Sequence, residues 1–290
     1  MRISIIVFIL IYSFPVLSQT DSLSNWKRKA ETGVNINQAS FSKNWNAGGV
    51  NSLALGSFFN GRAFYDSEKI SFDNDLQLQY GFLNNDGQGF RKNSDRIFFD
   101  SKIGYKLTSV WNVYASVNFL SQFAPGFRFD QDTIGVERPV KISQFMSPGF
   151  LTSSVGLEYK PVPWFWTRFG AGSVRQTFVL DTTLYRTVPN NYGVPIGKTV
   201  RNEVAFVLTM NLDKDLSKNV NLKTRFTAFA NYEDLKAIDT RLDFIFTAKV
   251  SRIINVNITG TVLYDQDMDY DVQYAQALSL GIMYSFTEFK

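Results

Sequence analysis

Asn219-Val-Asn-Leu-Lys-Thr-Arg-Phe-Thr-Ala-Phe-Ala-Asn-Tyr232 is the stretch that decides the fold. Val220, Leu222, Phe226, Ala228, Ala230 and Tyr232 fall on one parity, and Asn219, Asn221, Lys223, Arg225, Thr227 and Asn231 on the other. In an extended strand successive Cβ atoms point to opposite faces, so one side of this segment meets something oily and the other something wet. The same alternation returns upstream, where Ile97, Phe99, Ile103, Tyr105 and Leu107 interleave with Arg96, Asp100, Lys102 and Lys106. It returns downstream as Val256, Ile258, Gly260, Val262 and Tyr264 against Asn255, Asn257, Thr259 and Thr261.

About twelve such segments run through the chain, over 29–40, 51–65, 70–84, 95–107, 111–123, 149–160, 164–180, 199–212, 219–233, 238–251, 255–265 and 272–289. Their connections alternate in length. Short ones are 66–69, 108–110, 161–163, 213–218 and 252–254; longer ones are 41–50, 85–94, 124–148 and 181–198, although the last two of that series are short as well. Tight turns on one side, longer loops on the other and an even strand number describe an antiparallel up-and-down β-barrel crossing an outer membrane. A soluble β-sandwich alternates apolar and polar residues too, but nothing in it requires that loop parity. Many segments reach 12 residues, longer than the ~5–6 of ordinary strands and suited to a tilted crossing. No stretch after the N-terminal leader holds the ~18 consecutive apolar residues of a spanning helix.

Composition narrows the chemistry. The 290 residues include no His and no Cys. That removes disulfides, thiolate metal sites, thiol nucleophiles, imidazole ligands and the serine–histidine relay. Outer-membrane hydrolases generally need the missing histidine, no carboxylate pair stands out for acid–base work, and there is no phosphate-binding glycine loop. The expectation is a non-enzyme with no cofactor and no metal. Aromatic residues make up 16%, with 27 Phe and 13 Tyr, more than a soluble core needs.

The N-terminus reads as a secretory leader. Arg2 precedes the apolar run Ile3–Tyr12, and Val16, Leu17 and Ser18 offer a cleavage site before Gln19. The expected layout is a signal peptide over 1–18 and one barrel domain over 19–290. Loss of Arg2 takes 30 basic residues to 29 against 26 acidic, so net charge falls from +4 to +3, too small and dispersed for nucleic acid. The expected partners are outer-membrane lipid and lipopolysaccharide, with barrel-assembly and periplasmic chaperone machinery during biogenesis. Trp26, Trp111, Trp164 and Trp166 fall at expected periplasmic strand ends, where indoles anchor at the membrane interface. The last segment puts Leu278, Leu280, Ile282, Tyr284 and Phe286 on one face. It resembles the C-terminal targeting signal of outer-membrane proteins, although Phe289 lies on the opposite face and Lys290 follows.

The stretch Trp26-Lys-Arg-Lys-Ala-Glu-Thr-Gly-Val-Asn-Ile-Asn-Gln-Ala-Ser-Phe-Ser-Lys-Asn-Trp45, followed by Asn46-Ala-Gly-Gly-Val-Asn-Ser-Leu53, resembles the start of a Bacteroidota outer-membrane β-barrel family catalogued as domain of unknown function 3078. The likeness continues through Gly-Tyr-Lys-Leu at 104–107 and covers nearly all the exported chain. The resemblance implies an outer-membrane barrel in a diderm bacterium. It brings no known activity and no catalytic residues. Trp45, Gly48 and Gly49 are its most recognisable residues and read as a glycine-rich outer turn with an anchoring indole.

Charges on the wet parity are candidates for the lumen wall: Arg62, Asp73, Asp75, Arg96, Asp100, Lys102, Arg168, Arg201, Glu203, Lys223, Arg225, Arg241, Asp243 and Lys249. A lipid-facing charge at the bilayer midplane costs ~2–4 kcal/mol, so the lumen is the cheaper destination. They form either a charged constriction for small polar solutes or a salt-bridged filling of a narrow barrel. The corresponding functions are a narrow porin-like channel or a non-conducting structural or accessory subunit; an outer-membrane enzyme ranks below both. Asp265, Asp267, Asp269 and Asp271 recur with period two. They miss the EF-hand pattern, with Tyr270 where glycine is needed and Gln276 where glutamate is needed, and read as a solvated acidic rim. Gly170-Ala-Gly172 reads as relief of crowding within a strand. Finally, 124–148 is too apolar for a disordered loop. Its charges Arg128, Asp130, Asp132, Glu137, Arg138 and Lys141 suggest either inward folding onto the lumen wall or a hairpin about Gly135.

Overall fold

A computed structural model describes residues 25–42, 50–133 and 135–288. The leader, Trp45, Gly48, Gly49 and Phe289 lie outside the described residues. The strands are β1 (Trp26–Ala39), β2 (Ser52–Asp66), β3 (Ile70–Asn85), β4 (Gly89–Lys106), β5 (Trp111–Ser121), β6 (Gly126–Gln131) and β7 (Glu137–Ser143). They continue as β8 (Gly149–Val162), β9 (Phe165–Phe178), β10 (Val200–Ser217), β11 (Val220–Asn231), β12 (Ile238–Lys249), β13 (Ile254–Asp265) and β14 (Asp269–Glu288). Twelve of them form one closed antiparallel barrel, in which β5 pairs with β8 and β14 returns to β1. Each of the twelve alternating segments is one barrel strand. Closure leaves no unpaired edge, which a membrane requires of any sheet that crosses it.

The alternation has its expected effect on the outside. The outward face of β14, Leu278, Leu280, Ile282, Tyr284 and Phe286, is 49–68% exposed. Val34, Ile36, Ile103, Val113, Val155 and Val204 continue that surface around the barrel. A closed girdle of exposed large apolar side chains is untenable in water and matches a hydrocarbon surround.

The end holding both termini is closed by tight turns with a shared device. Ile70 N–H donates to Ser67 Oγ at 3.1 Å, Trp111 N–H to Thr108 Oγ1 at 3.0 Å and Ile254 N–H to Ser251 Oγ at 3.1 Å. A hydroxyl three residues before the strand thus substitutes for a ladder partner at the β2–β3, β4–β5 and β12–β13 turns.

The barrel wall is interrupted in β9. Val155 pairs with Gly172 and Leu157 with Phe169, while Ala205 pairs with Ser173 and Val207 with Gly170. Both neighbours therefore register one extra residue in β9 near Gly170–Ala171, a bulge that reverses strand parity. The glycine pair is this bulge. A Cβ on Gly156, opposite it, would lie 1.9 Å from the Phe169 carbonyl oxygen, and one on Gly170 would lie 2.9 Å from the Tyr114 hydroxyl.

Candidate functional site

Strand register places all fourteen candidate charges on the parity that faces the lumen, and their pairing sorts them by height. Near the turn end, Arg62 binds Asp73 through two hydrogen bonds of 3.0 and 2.7 Å. Lys223 lies 3.7 Å from both Glu31 and Asp213. Lys249, at the end of β12, is exposed. Asp75 stands opposite Asp100 across β3 and β4 and takes both hydrogen bonds of the Gln77 amide, each 3.3 Å.

Mid-barrel, five side chains from four strands, β4, β8, β9 and β11, form one alternating chain. Lys102 reaches Glu158 at 2.7 Å, Glu158 meets Arg168 at 2.9 Å, Arg168 meets Asp100 at 2.9 Å and Asp100 meets Arg225 at 3.3 Å. Asn112 adds a hydrogen bond of 2.9 Å to Glu158. Lys102, Glu158, Arg168 and Asp100 are only 3, 1, 4 and 5% exposed, so this layer fills the bore. Burying each ion costs several kcal/mol, and alternation of sign is what makes the layer tenable.

Above it, Asp243 gathers Arg241 at 2.8 Å, Arg96 at 3.2 Å and the Thr261 hydroxyl at 2.6 Å. Arg175 binds Asp239 at 2.7 Å, and Arg201 pairs with Glu203 at 3.0 Å and with Asp267. Glu158, Arg175 and Asp239 complete the network although sequence reading omitted them. Glu158 was accessible as a charge on the wet parity of its segment, whereas Arg175 lies beyond the bulge, where parity has reversed.

Between the mid-barrel layer and the loop end lies a cavity of about 130 Å³. Asp100, Arg168 and Arg225 are at its base, Asp265 and Met268 at its mouth, and Phe98, Tyr114, Phe150, Val207 and Phe229 give its wall an apolar component. This vestibule opens toward the loops and ends on the ion-pair layer.

Three expectations are corrected here. Trp26, Trp111 and Trp164 point outward at 36–37% exposure, but Trp166 is 6% exposed. Its ring lies 4.0 Å from the Arg168 guanidinium and 5.7 Å from that of Arg225, making it part of the lumen layer and not of the interface belt. Residues 124–148 form a separate two-stranded hairpin, β6–β7, whose turn uses Gly135 at φ 81°. Of the two alternatives for this segment the hairpin holds and the inward fold does not: Arg128 binds Asp130 at 2.7 Å and Arg138 binds Asp132 within it, Glu137 binds Arg91 at the loop end of β4, and Lys141 reaches Asp181 at 2.5 Å. The aspartates about the β13–β14 turn do not form a uniformly solvated rim. Asp265 is buried and accepts the Asp267 N–H at 2.9 Å within the turn, and Asp267 is tied to Arg201. No cluster of three potential metal ligands occurs among the described residues.

The segment that reaches over the mouth is instead 181–199. Its Asn190 amide donates to the Met268 carbonyl at 2.6 Å, joining the β9–β10 connection to the β13–β14 tip. A small core of Val179, Leu184 and Val194, with Tyr192 against it, stiffens this strap. Asn191 and Tyr192 adopt left-handed φ values of 46° and 55°. The Asn191 amide donates to Val194 O at 2.7 Å, and the Tyr192 hydroxyl to Ile142 O at 2.5 Å, holding that turn. Thr187 also donates to Lys141 O at 2.6 Å, so hairpin and strap brace each other. Burial pushes the Tyr192 phenol up to about 12. The Lys141 ammonium, and then the Thr183 hydroxyl, lower the Asp181 carboxyl to about 2.

Two family models match different parts of this chain, each less than half of it. The protein of unknown function DUF3078 matches residues 36–127, and the protein of unknown function DUF481 matches residues 165–286. The first likeness therefore ends at residue 127, short of the near-complete span expected from the opening stretch, and the C-terminal half has a different match. No curated protein matches the chain. Among solved structures, an outer membrane channel from Pseudomonas putida F1 is similar at 9% identity, with 96% of this chain and 100% of that one covered and a TM-score of 0.39. NanC porin is similar at 9% identity, 90% and 99% coverage and a TM-score of 0.37. The translocator domain of the autotransporter NalP from Neisseria meningitidis is similar at 11% identity, 90% and 87% coverage and a TM-score of 0.33.

Proposed function

We propose that this chain is an outer-membrane barrel of a diderm bacterium, exported by a cleaved leader, that serves as a narrow porin-like channel for small polar solutes and not as an enzyme. One observation carries the reading: a cavity that runs from Asp265 and Met268 down to Asp100, Arg168 and Arg225 is floored by side-chain ion pairs and not by backbone. Side chains, unlike a backbone plug, exchange partners without disturbing the barrel. Lipid and lipopolysaccharide contact the apolar exterior, and chaperone and barrel-assembly machinery deliver the chain.

Full neutralisation within the Lys102–Glu158–Arg168–Asp100 layer favours a second reading, a non-conducting structural or accessory subunit of an envelope assembly. Planar-bilayer recording separates the two. The channel reading expects small stepwise conductance from the purified protein and larger steps from Arg168→Ala, which removes the side chain bridging Glu158 and Asp100. Silence from both proteins at all voltages, with stoichiometric co-purification of other envelope proteins, would establish the scaffold instead.

A further inference from the structure

We propose that the vestibule is a binding site for small organic anions, with a carboxylate held by Arg96 and Arg225 and an apolar or aromatic body against Leu120 and Phe150. The inference deepens the channel reading, and rests on it in treating the vestibule as open to solutes from the loop side.

Charge comes first. The cavity is lined by five arginines (96, 168, 175, 225 and 241) and four aspartates (100, 239, 243 and 265), and by no lysine. Arg168 occupies the first carboxylate, sharing Asp100 with Arg225, which approaches at 3.3 Å. Arg241 donates to both oxygens of Asp243, at 2.8 and 2.9 Å, and the Thr261 hydroxyl donates a further bond to it. Arg96 is left with a 3.2 Å approach to that same aspartate, and its Nε is buried without a hydrogen-bond partner among the described residues. A guanidinium carries five N–H donors in a planar fork, so Arg96 and Arg225 have donors to spare.

Geometry comes second. The guanidinium carbons of Arg96 and Arg225 lie 4.9 and 4.8 Å from the centroid of one ring, that of Phe98. Sharing that ring holds both guanidiniums in one part of the cavity lining, where a bound anion offsets their mutual repulsion. A guanidinium resting on a ring offers its N–H edge, which suits bidentate recognition of a carboxylate. Leu120 and Phe150, half-buried and in register with Phe98 across β4, β5 and β8, continue the apolar wall beyond this pair. Inorganic phosphate would use the arginines and waste that wall, whereas an amphipathic carboxylate uses both.

The test is calorimetric titration of the full-length protein in detergent micelles with benzoate, benzamide, benzylamine and inorganic phosphate. Saturable benzoate binding at least tenfold tighter than each of the other three is expected. Arg96→Gln should lower benzoate affinity at least tenfold and leave benzamide unchanged. If that variant fails to show the folded, heat-modifiable band, Arg225→Lys, which keeps the charge and removes the fork, should give the same loss. Equal affinity for benzoate and benzamide, tighter binding of phosphate, or no saturation would overturn the proposal. Benzoate binding by a protein silent in bilayers would uphold the site and refute the channel. Conductance without saturable benzoate binding would do the reverse.

Discussion

Replacing Glu158 by Gln removes one charge from the mid-barrel layer with almost no change in volume. Glu158 accepts from Lys102 at 2.7 Å, Asn112 at 2.9 Å and Arg168 at 2.9 Å. At an effective dielectric of about 20, each of the two ion contacts is worth roughly 6 kcal/mol, so about 12 kcal/mol of gross attraction disappears. The carboxylate's own desolvation, several kcal/mol, disappears with it, and Arg168 keeps Asp100, so the net destabilisation is about 3–5 kcal/mol. Most of that is the cost of leaving Lys102 buried beside an amide. Adding Lys102→Met to Glu158→Gln should therefore restore part of the loss, with a coupling of about 1–3 kcal/mol in the double-mutant cycle. Urea unfolding in micelles, read by the folded-band gel shift and by tryptophan fluorescence, measures each corner, and Trp166 against Arg168 reports the layer itself. A loss under about 1 kcal/mol with additive effects would mean that water already screens these charges. The vestibule would then have no closed floor.

Brominated lipids should quench fluorescence from Trp26, Trp111 and Trp164 and spare Trp166, which single-tryptophan variants in vesicles would resolve. The Asp181 carboxyl sits near 2 in the folded protein against an ordinary 3.8, so its contribution to the strap–hairpin junction is complete above pH 4 and is lost as pH falls toward 2. Amide hydrogen exchange over 137–143 should accelerate across that window in the parent and show no such step in Asp181→Asn; parallel profiles would remove Lys141–Asp181 as the clasp. Deleting 126–143 should leave the barrel assembled and its solute permeability unchanged, because every cavity-lining residue comes from outside the hairpin. A rise in liposome-swelling rate would mean that the hairpin obstructs the bore.

Strand number and inward charge placement were legible because both depend on one local rule, the two-residue period. That rule holds through β2, β3, β11 and β12, where pairing runs without a register shift between Arg62 and Asp75 or between Arg225 and Asp243. It also applies to Trp166, which shares parity with Arg168 two residues on. The indole was misplaced because an interface belt was expected from residue type and nearness to a turn. Where lipid and lumen compete for an aromatic ring, parity decides, and a cation on the lumen side reinforces it. Arg175 illustrates the limit: one extra residue at Gly170–Ala171 inverts the rule, and glycine in a strand signals a bulge without revealing its register.

The loops obey no such period, which is why the wrong one looked functional. Length and apolar content singled out 124–148, yet those side chains serve a hairpin with its own register, from Gly126–Ser143 to Gln131–Glu137, that docks on β4 and the strap. The 181–199 segment carries less periodic signal, and its decisive contacts are long-range. Asn190 meets Met268, 78 residues away, and Arg201 meets Asp267, 66 residues away. Such contacts exist only once the barrel has closed and brought the β9–β10 and β13–β14 tips to the same rim. The order of causation runs from strand parity to closure, and from closure to a rim on which a strap finds its anchors. A substitution at Asn190 or Asp267 therefore changes the vestibule's mouth without touching the information that builds the barrel beneath it.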